Sequence, residues 1–455
     1  MSENGIRNAR ELGAPKVLLL GFQHMFAMFG ATVLVPALTG LSVSATLLFA
    51  GLGTLLFHLI TKGNVPAFLG SSFAFLGGYF AINALAGNYA EITNWIPYAG
   101  IGVMCAGLLY VALSALFKFF GTEKVMRFFP PIVTGPVIIC IGLTLANSAL
   151  NNCAANWWIA LLAIAIVIVC NIWGKGMIKI VPILLGVVGS YLVAAICGQV
   201  DFTAVSNASW FGLPFKMEDT AFSLIGNCNG GFLLSAIITM MPIALATMVE
   251  HIGDMCAISS TVGENFVAKP GLHRTLLGDG LATSLASLFG APANTTYGEN
   301  TGVLALTKVY DPMVIRLAAI FAIIFSFCPK FAALVSCMPA ATIGGVSLIL
   351  YGMISSVGVR NIVENKVDFT KNRNVIIAAL IMGLSLGINF SSALGCDTVA
   401  GVSGAIAFAI GPVTVKLSGL AVGALVGIIL NAVLPGNDYT FPNNEQGDKS
   451  VNFKV

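Results

Sequence analysis

The amino-acid sequence predicts an all-α polytopic membrane protein with fourteen transmembrane spans arranged as two inverted repeats of seven. Three observations predict it. The 455-residue chain is 57% hydrophobic and only 9% charged, with a mean hydropathy of +0.92, whereas a soluble domain carries roughly 25% charged residues. Its apolar residues gather in stretches of the length, roughly 20 residues, that crosses ~30 Å of hydrocarbon. These stretches fall into two groups of seven, and an odd number per group means that the second enters the membrane upside down relative to the first.

Taken in order, the start MSENGIRNARELGAPK is polar and has no cleavable signal region, so the first apolar stretch is read as a retained span. Spans are expected near 17–38, 44–61, 66–86, 97–119, 128–150, 156–174 and 178–198. A polar stretch, 199–229, follows. The second set is expected near 231–259, 272–291, 293–308, 312–336, 340–358, 374–390 and 414–434, before a short polar cytoplasmic tail, 435–455.

The positive charges agree with this order. With a cytoplasmic N-terminus, only Lys216, Lys330 and Lys416 of the 22 lysines and arginines fall outside, which places both termini in the cytoplasm. A net charge of +3 is too small to argue for nucleic acid or any acidic partner. The ten cysteines are scattered through apolar stretches without a CxxC pair or a neighbouring His. They are read as small buried side chains, with neither metal nor disulfide expected.

The third expected span of each half is interrupted. One runs VPAFLGSSFAFLGG and the other APANTTYGENTG: a proline, then small and hydroxyl residues with glycines, then a resumed apolar helix. Matched interruptions in two halves point to a substrate site. In lipid, broken backbone survives only where it lines a protein cavity, so each stretch is expected to be extended and followed by a half-helix whose N–H groups face a ligand. A Gly/Pro kink without a ligand is the plainer alternative, and it explains one such segment better than a matched pair.

Three acids mark the same region. Glu250 and Asp254, in TMVEHIGDM, lie one helical turn apart on one face, and Glu299 lies in the second interrupted stretch. A carboxylate at the centre of a span costs about 3 kcal/mol to insert and faces a cavity by default; a structural hydrogen bond to a neighbouring helix is the bland alternative. Three carboxylates close together in a low dielectric cannot all ionise comfortably, which gives a route to proton coupling. Asp254 is expected to carry the proton, with Glu250 and Glu299 binding the substrate. His251 points about 100° away around the helix and is read as a packing or hydrogen-bonding residue. Gln23 and His24 sit inside the first span and are expected to brace the broken helices. His273, at a predicted helix start, needs no special role. Phe73 and Tyr297, in the two interrupted stretches, are placed to flank a flat ring.

At these residues the chain resembles the nucleobase–ascorbate transporter family, also called nucleobase:cation symporter-2, and within it the bacterial uracil permeases. The family signature, an acid or amide followed by N-x-G-x4-T-[R/K], is present from Glu299 to Lys308. Gln23-His24, the GSSFAF run from Gly70 to Phe75, and Glu250 in EHIGD match other family motifs, over residues 15–434 in all.

The resemblance implies short antiparallel strands in broken spans 3 and 10, with the base bound between them. It implies a core domain, 15–120 and 230–337, of spans 1–4 and 8–11, and a gate domain, 121–200 and 338–434, of spans 5–7 and 12–14. It further implies a uracil:proton symporter of the inner membrane, dimeric through the gate domain, using no cofactor beyond the coupling proton. Carried over position by position, Glu250 and Glu299 would accept from the ring N–H groups of uracil. Backbone groups at Phe73, Tyr297 and Gly298 would meet its carbonyls and edge. Ser71, Ser72, Thr295 and Asn300 would support them. One position departs: Asp254 stands where some uracil permeases carry His, and Asp occurs there in xanthine and urate carriers. Glu299 points the other way, because purine-dione carriers usually have Gln at that place. A xanthine or urate symporter is the alternative within the family. A channel would place rings of like residues about a symmetric pore, an enzyme would carry a recognisable catalytic motif, and a related anion exchanger would want cations where this chain has acids.

Overall fold

Backbone N–H and C=O groups in apolar surroundings must find partners within the chain, and a helix supplies them within one segment. The computed structural model, which describes residues 5–87, 89, 91–226, 228–391, 405–410 and 413–436, has a helix within each expected apolar stretch. After a single 3-10 turn at Ala9–Leu12 come α1 (Ala14–Thr39), α2 (Val43–Ile60), strand β1 (Leu69–Ser71), α3 (Leu76–Ala86), α4 (Ile96–Phe120) and α5 (Thr122–Met126). Next are α6 (Pro131–Ala154), α7 (Trp157–Ile172), α8 (Met177–Ile180) and α9 (Pro182–Ile196), then a connection holding α10 (Thr203–Asn207).

The second half runs α11 (Gly230–Met240), α12 (Ala244–Val262), α13 (Leu272–Leu288), β2 (Asn294–Thr296), α14 (Gly298–Thr307), α15 (Pro312–Ser326) and α16 (Pro329–Ser336). It ends with α17 (Ala340–Glu364), α18 (Asn372–Phe390), β3 (Ala405–Ile410), β4 (Val413–Ser418) and α19 (Gly419–Val433). Local chemistry sets many of the ends. Proline occupies the first turn of α1, α4, α6, α9, α15 and α16, where no intrahelical N–H bond is lost. Asn156 accepts from Trp158 and Ile159 to cap α7, and Asp311 accepts from Met313 at 2.8 Å to cap α15.

Among the described residues seven helical stretches are long and apolar enough to cross a membrane, one of them the joined α11–α12 run Gly230–Val262. Large apolar side chains face outward around the bundle, including Phe119, Trp158 and Ile196 at 79%, 82% and 85% exposure. Such a surface suits lipid and not water. Helices pack as α6 on α17, α4 on α13 and α2 on α15. Small residues let the backbones approach: a Cβ on Gly142 of α6 would come within 2.1 Å of the Tyr351 carbonyl on α17.

Three expected spans are corrected. The stretch 312–336 is two helices, α15 and α16, bent by 88°, because Pro329 cannot continue the hydrogen-bond ladder of α15. The stretch 231–259 is interrupted by a 3-10 turn at Met241–Ile243, around Pro242. The stretch 414–434 begins as strand β4, antiparallel to β3 with Ala405 opposite Ser418. Its alternating β-branched run suits a strand, and α19 starts only where the Ser418 hydroxyl accepts from the Ala421 N–H. The architecture is therefore not wholly helical. The tail beyond residue 436, with Lys449 and Lys454, lies outside the described residues.

Candidate functional site

The two interrupted stretches meet. β1 and β2 pair antiparallel with Leu69 opposite Thr296, Gly70 opposite Thr295 and Ser71 opposite Asn294. The ladder extends at both ends, through Tyr297 N–H to the Phe68 carbonyl at 3.0 Å and Ser72 N–H to the Ala293 carbonyl at 2.8 Å. Each short strand thus satisfies the backbone that its broken span leaves open. Side chains finish the task. The Thr54 hydroxyl accepts from Leu69 N–H at 2.9 Å, Tyr79 accepts from Ala293 N–H at 3.0 Å, and Asn294 donates to the Phe49 carbonyl at 3.0 Å. A half-helix follows each strand, α3 after β1 and α14 directly after β2.

Gly70 is required by a close approach. A Cβ there would lie 2.5 Å from the ring of Tyr297 and 2.8 Å from the Thr32 hydroxyl. The Tyr297 hydroxyl donates to the Ser71 carbonyl at 2.8 Å, and the Ser71 hydroxyl donates to the Thr32 carbonyl at 2.9 Å. Tyr297 and Ser71 therefore lock the strand pair to α1, and the Tyr297 ring is a buried brace. The Phe73 ring packs edge-on against Tyr351 of α17, with centroids 5.5 Å apart.

Glu250 and Asp254 lie one turn apart on α12, which packs against both β2 and α14. Glu299 stands in the first turn of α14, at the positive end of the helix dipole. All three acids sit deep in the bundle yet keep part of their accessible surface, and Gly298 beside Glu299 is exposed. Each therefore borders accessible space. A Cβ at Gly298 would meet nothing within 4 Å, so backbone N–H groups at the start of α14 can reach a ligand. Asp254 accepts a 2.7 Å hydrogen bond from the Thr296 hydroxyl on β2. The buried atoms Glu250 Oε2, Ser72 Oγ, Thr295 Oγ1 and Asn300 Oδ1 have no hydrogen-bond partner among the described residues, and buried polar atoms of that kind call for an explanation.

The first-span pair lies at the same junction. The Asn300 side-chain amide donates to the His24 carbonyl at 3.0 Å and lies 3.2 Å from His24 Nδ1. Gln23 is 8% exposed beside it. The reading of the sequence missed three residues here. Thr296, not its neighbour Thr295, contacts Asp254. Tyr351 closes on Phe73 from a distant helix. Asp279 of α13 is wholly buried, with Oδ2 2.9 Å from His251 Nδ1. An acid inside an expected span was the available signal for Asp279, the same one that singles out Glu250. His251, read as a packing or hydrogen-bonding residue, has the Asp279 carboxyl group beside its ring.

Chemically, the site offers carboxyl groups, acceptor-only when ionised, beside backbone donors at a helix start. That combination suits a small polar ligand carrying both N–H groups and carbonyl oxygens. Among the described residues no cluster of His, Cys, Asp or Glu is arranged to hold a metal ion.

A multi-pass membrane fold whose two broken helices join through a strand pair, with carboxylates at the junction, defines a membrane transporter. Solved structures share the fold. The transmembrane domain of a cyanobacterium bicarbonate transporter, BicA, aligns with a TM-score of 0.59 at 14% identity, over 94% of this chain and 99% of that one. The murine anion transporter Slc26a9 aligns at 0.61 and 10% identity, over 91% of this chain and 67% of that one. The chain belongs to the permease family that comprises the nucleobase–ascorbate transporters, whose family model matches residues 15–394. It is 41% identical to the uracil permease of Bacillus subtilis (strain 168) over 449 residues, covering 95% of this chain and 94% of that relative. It is 40% identical to the uracil permease of Bacillus caldolyticus over 435 residues, 94% of each chain. It is 36% identical to that of Escherichia coli (strain K12) over 425 residues, 91% of this chain and 90% of that one. These relatives are permeases, so the protein is a transporter and not an enzyme.

Proposed function

We propose that the protein is a uracil:proton symporter that imports uracil across the cytoplasmic membrane by alternating access. The single observation that carries this reading is the junction itself, where Glu250 and Glu299 border accessible space beside the exposed start of α14. Uracil is flat and neutral, with two ring N–H donors and two carbonyl acceptors. The glutamates accept from the N–H groups, and the backbone at Phe73, Tyr297 and Gly298 meets the carbonyls and edge. Ser71, Ser72, Thr295, Asn300, Gln23 and His24 hold that frame. Asp254 carries the coupled proton, with Glu250 as its partner, since closely spaced carboxylates share protons more easily than they all ionise. No further cofactor takes part. The relatives named above support uracil as the substrate.

The same reading divides the chain into a core domain, 15–120 and 230–337, and a gate domain, 121–200 and 338–434. Each half contributes seven spans, the halves are inverted, both termini are cytoplasmic, and two copies associate through the gate. The Phe73–Tyr351 contact joins the two domains beside the substrate. The test is uptake of labelled uracil into proteoliposomes under an imposed proton gradient, with unlabelled uracil and xanthine as competitors. Accumulation blocked by uracil and not by xanthine is expected. Stronger competition by xanthine assigns the site to purine-diones, and accumulation indifferent to the proton gradient removes the coupling.

A further inference from the structure

The residues before α1 reach across to both helices that carry the site glutamates. Ile6 bridges in parallel to Val309, just past the end of α14: its N–H donates to the Lys308 carbonyl and its carbonyl accepts from the Tyr310 N–H, each at 2.8 Å. The Ala9 N–H donates to Asp311 Oδ2 at 2.8 Å, and Ala9 is wholly buried. Arg7 reaches the other helix. Its guanidinium pairs with Glu264 and donates to the carbonyl of Val262, the last residue of α12, at 3.2 Å. One short segment thus grips the far ends of α12 and α14 together.

α14 has need of such a grip. It has only ten residues, and helices below ~12 residues are marginal without tertiary support. Its first turn lies at the broken stretch and stays open to the site. Its last turn ends at Lys308, a non-glycine residue in the left-handed region at φ 53°, which is uncommon and needs support from its surroundings. At 1.5 Å per residue, Glu299 stands about 12 Å from the gripped end of its helix and Glu250 about 18 Å from the end of α12.

We propose that Ile6, Arg7 and Ala9 are positioning residues: together they form a strap that fixes α14 against α12 and so sets Glu299 relative to Glu250. The inference rests on the reading that these glutamates hold the substrate. Backbone pairing at Ile6 is the main hold. The Arg7–Glu264 pair, with both side chains about half exposed, adds the smaller contribution expected of a surface ion pair.

The test compares wild type with Ile6→Pro, which deletes the N–H donor, and with Arg7→Glu, Glu264→Arg and the double charge swap. Two readouts are taken: uracil KM and Vmax in proteoliposomes, and amide hydrogen exchange of purified, substrate-free protein. Ile6→Pro is expected to raise exchange across 298–307 about tenfold, with α4 and α13 unchanged. Its KM should rise about fivefold to tenfold with Vmax within about twofold, the cost of losing one or two hydrogen bonds that orient a carboxylate. Arg7→Glu should raise KM about threefold, and the double swap should return it to within about twofold of wild type. Unchanged exchange and KM in Ile6→Pro overturns the proposal. Loosening spread equally over α4 and α13 overturns it too, because it shows only general support. Should Ile6→Pro not fold, the charge swap decides by the presence or absence of rescue. Wild type that takes up no uracil, with loosening still confined to 298–307, sinks the transport reading and leaves the strap standing.

Discussion

Glu299 is the residue on which the proposed chemistry turns. Replacing it by Gln removes one charge-assisted acceptor, an interaction of about 1.5–3 kcal/mol, so uracil affinity is expected to fall roughly 10- to 100-fold. Equilibrium binding to the purified protein measures it. Asp254→Asn is expected to separate two activities: exchange of labelled for unlabelled uracil persists, while accumulation driven by a proton gradient is lost. Continued uphill accumulation by that variant would assign the proton elsewhere. Asp279 invites a stability measurement. Asp279→Leu leaves the buried His251 ring without its polar neighbour, and stranding a buried polar group costs about 1–3 kcal/mol, visible as a drop in the melting temperature in detergent. Glu250, Asp254 and Glu299 were legible in the sequence because a carboxylate in an apolar run has few bland explanations. Thr296 was not, since nothing in NTTYG distinguishes the threonine that meets Asp254 from the one before it.

At the scale of elements, the strand pair makes the site possible, and Gly70 sets how closely it packs. Gly70→Ala is expected to push the Tyr297 ring off its place against β1 and to weaken uracil binding about tenfold, in line with the ~1–3 kcal/mol cost of forcing extra atoms into a packed interior. The rise in melting temperature on adding uracil reports it: a rise equal to that of wild type would show that the ring can move aside without harm. The interruptions themselves were legible, since proline, glycine and hydroxyl residues recur at the same place in both halves. Their register was not, because pairing Leu69 with Thr296 depends on how α2, α13 and α1 hold each strand. The bend between α15 and α16 shows the opposite limit. Hydropathy runs smoothly through Cys328, so apolarity predicted one span although Pro329 was in plain view.

For the whole molecule, the charge pattern makes a prediction about sidedness. The cysteines are not all buried as expected: Cys228 is exposed and belongs to the long connection expected on the outer face. In a variant whose other cysteines are replaced by serine, a membrane-impermeant thiol reagent added to intact cells should label Cys228. Labelling only after the membrane is opened would turn the proposed orientation over. Lipid-facing and buried surfaces were easy to foresee in aggregate from composition. Which helix lies against which was not, because pairs such as α6 with α17 depend on small residues whose partners lie far along the chain.

That distance along the chain has a consequence for how the protein is made. Ser71 and Tyr297 touch, yet 226 positions separate them. At ribosomal speeds of about 5–20 residues per second, β1 waits on the order of ten seconds or longer for the strand that will satisfy it. Through that interval its bare backbone edge is held only by α1 and α2. The strand pair can therefore close only after roughly two-thirds of the chain has been made, and a nascent chain stalled before residue 294 would sit in the bilayer with β1 unpaired.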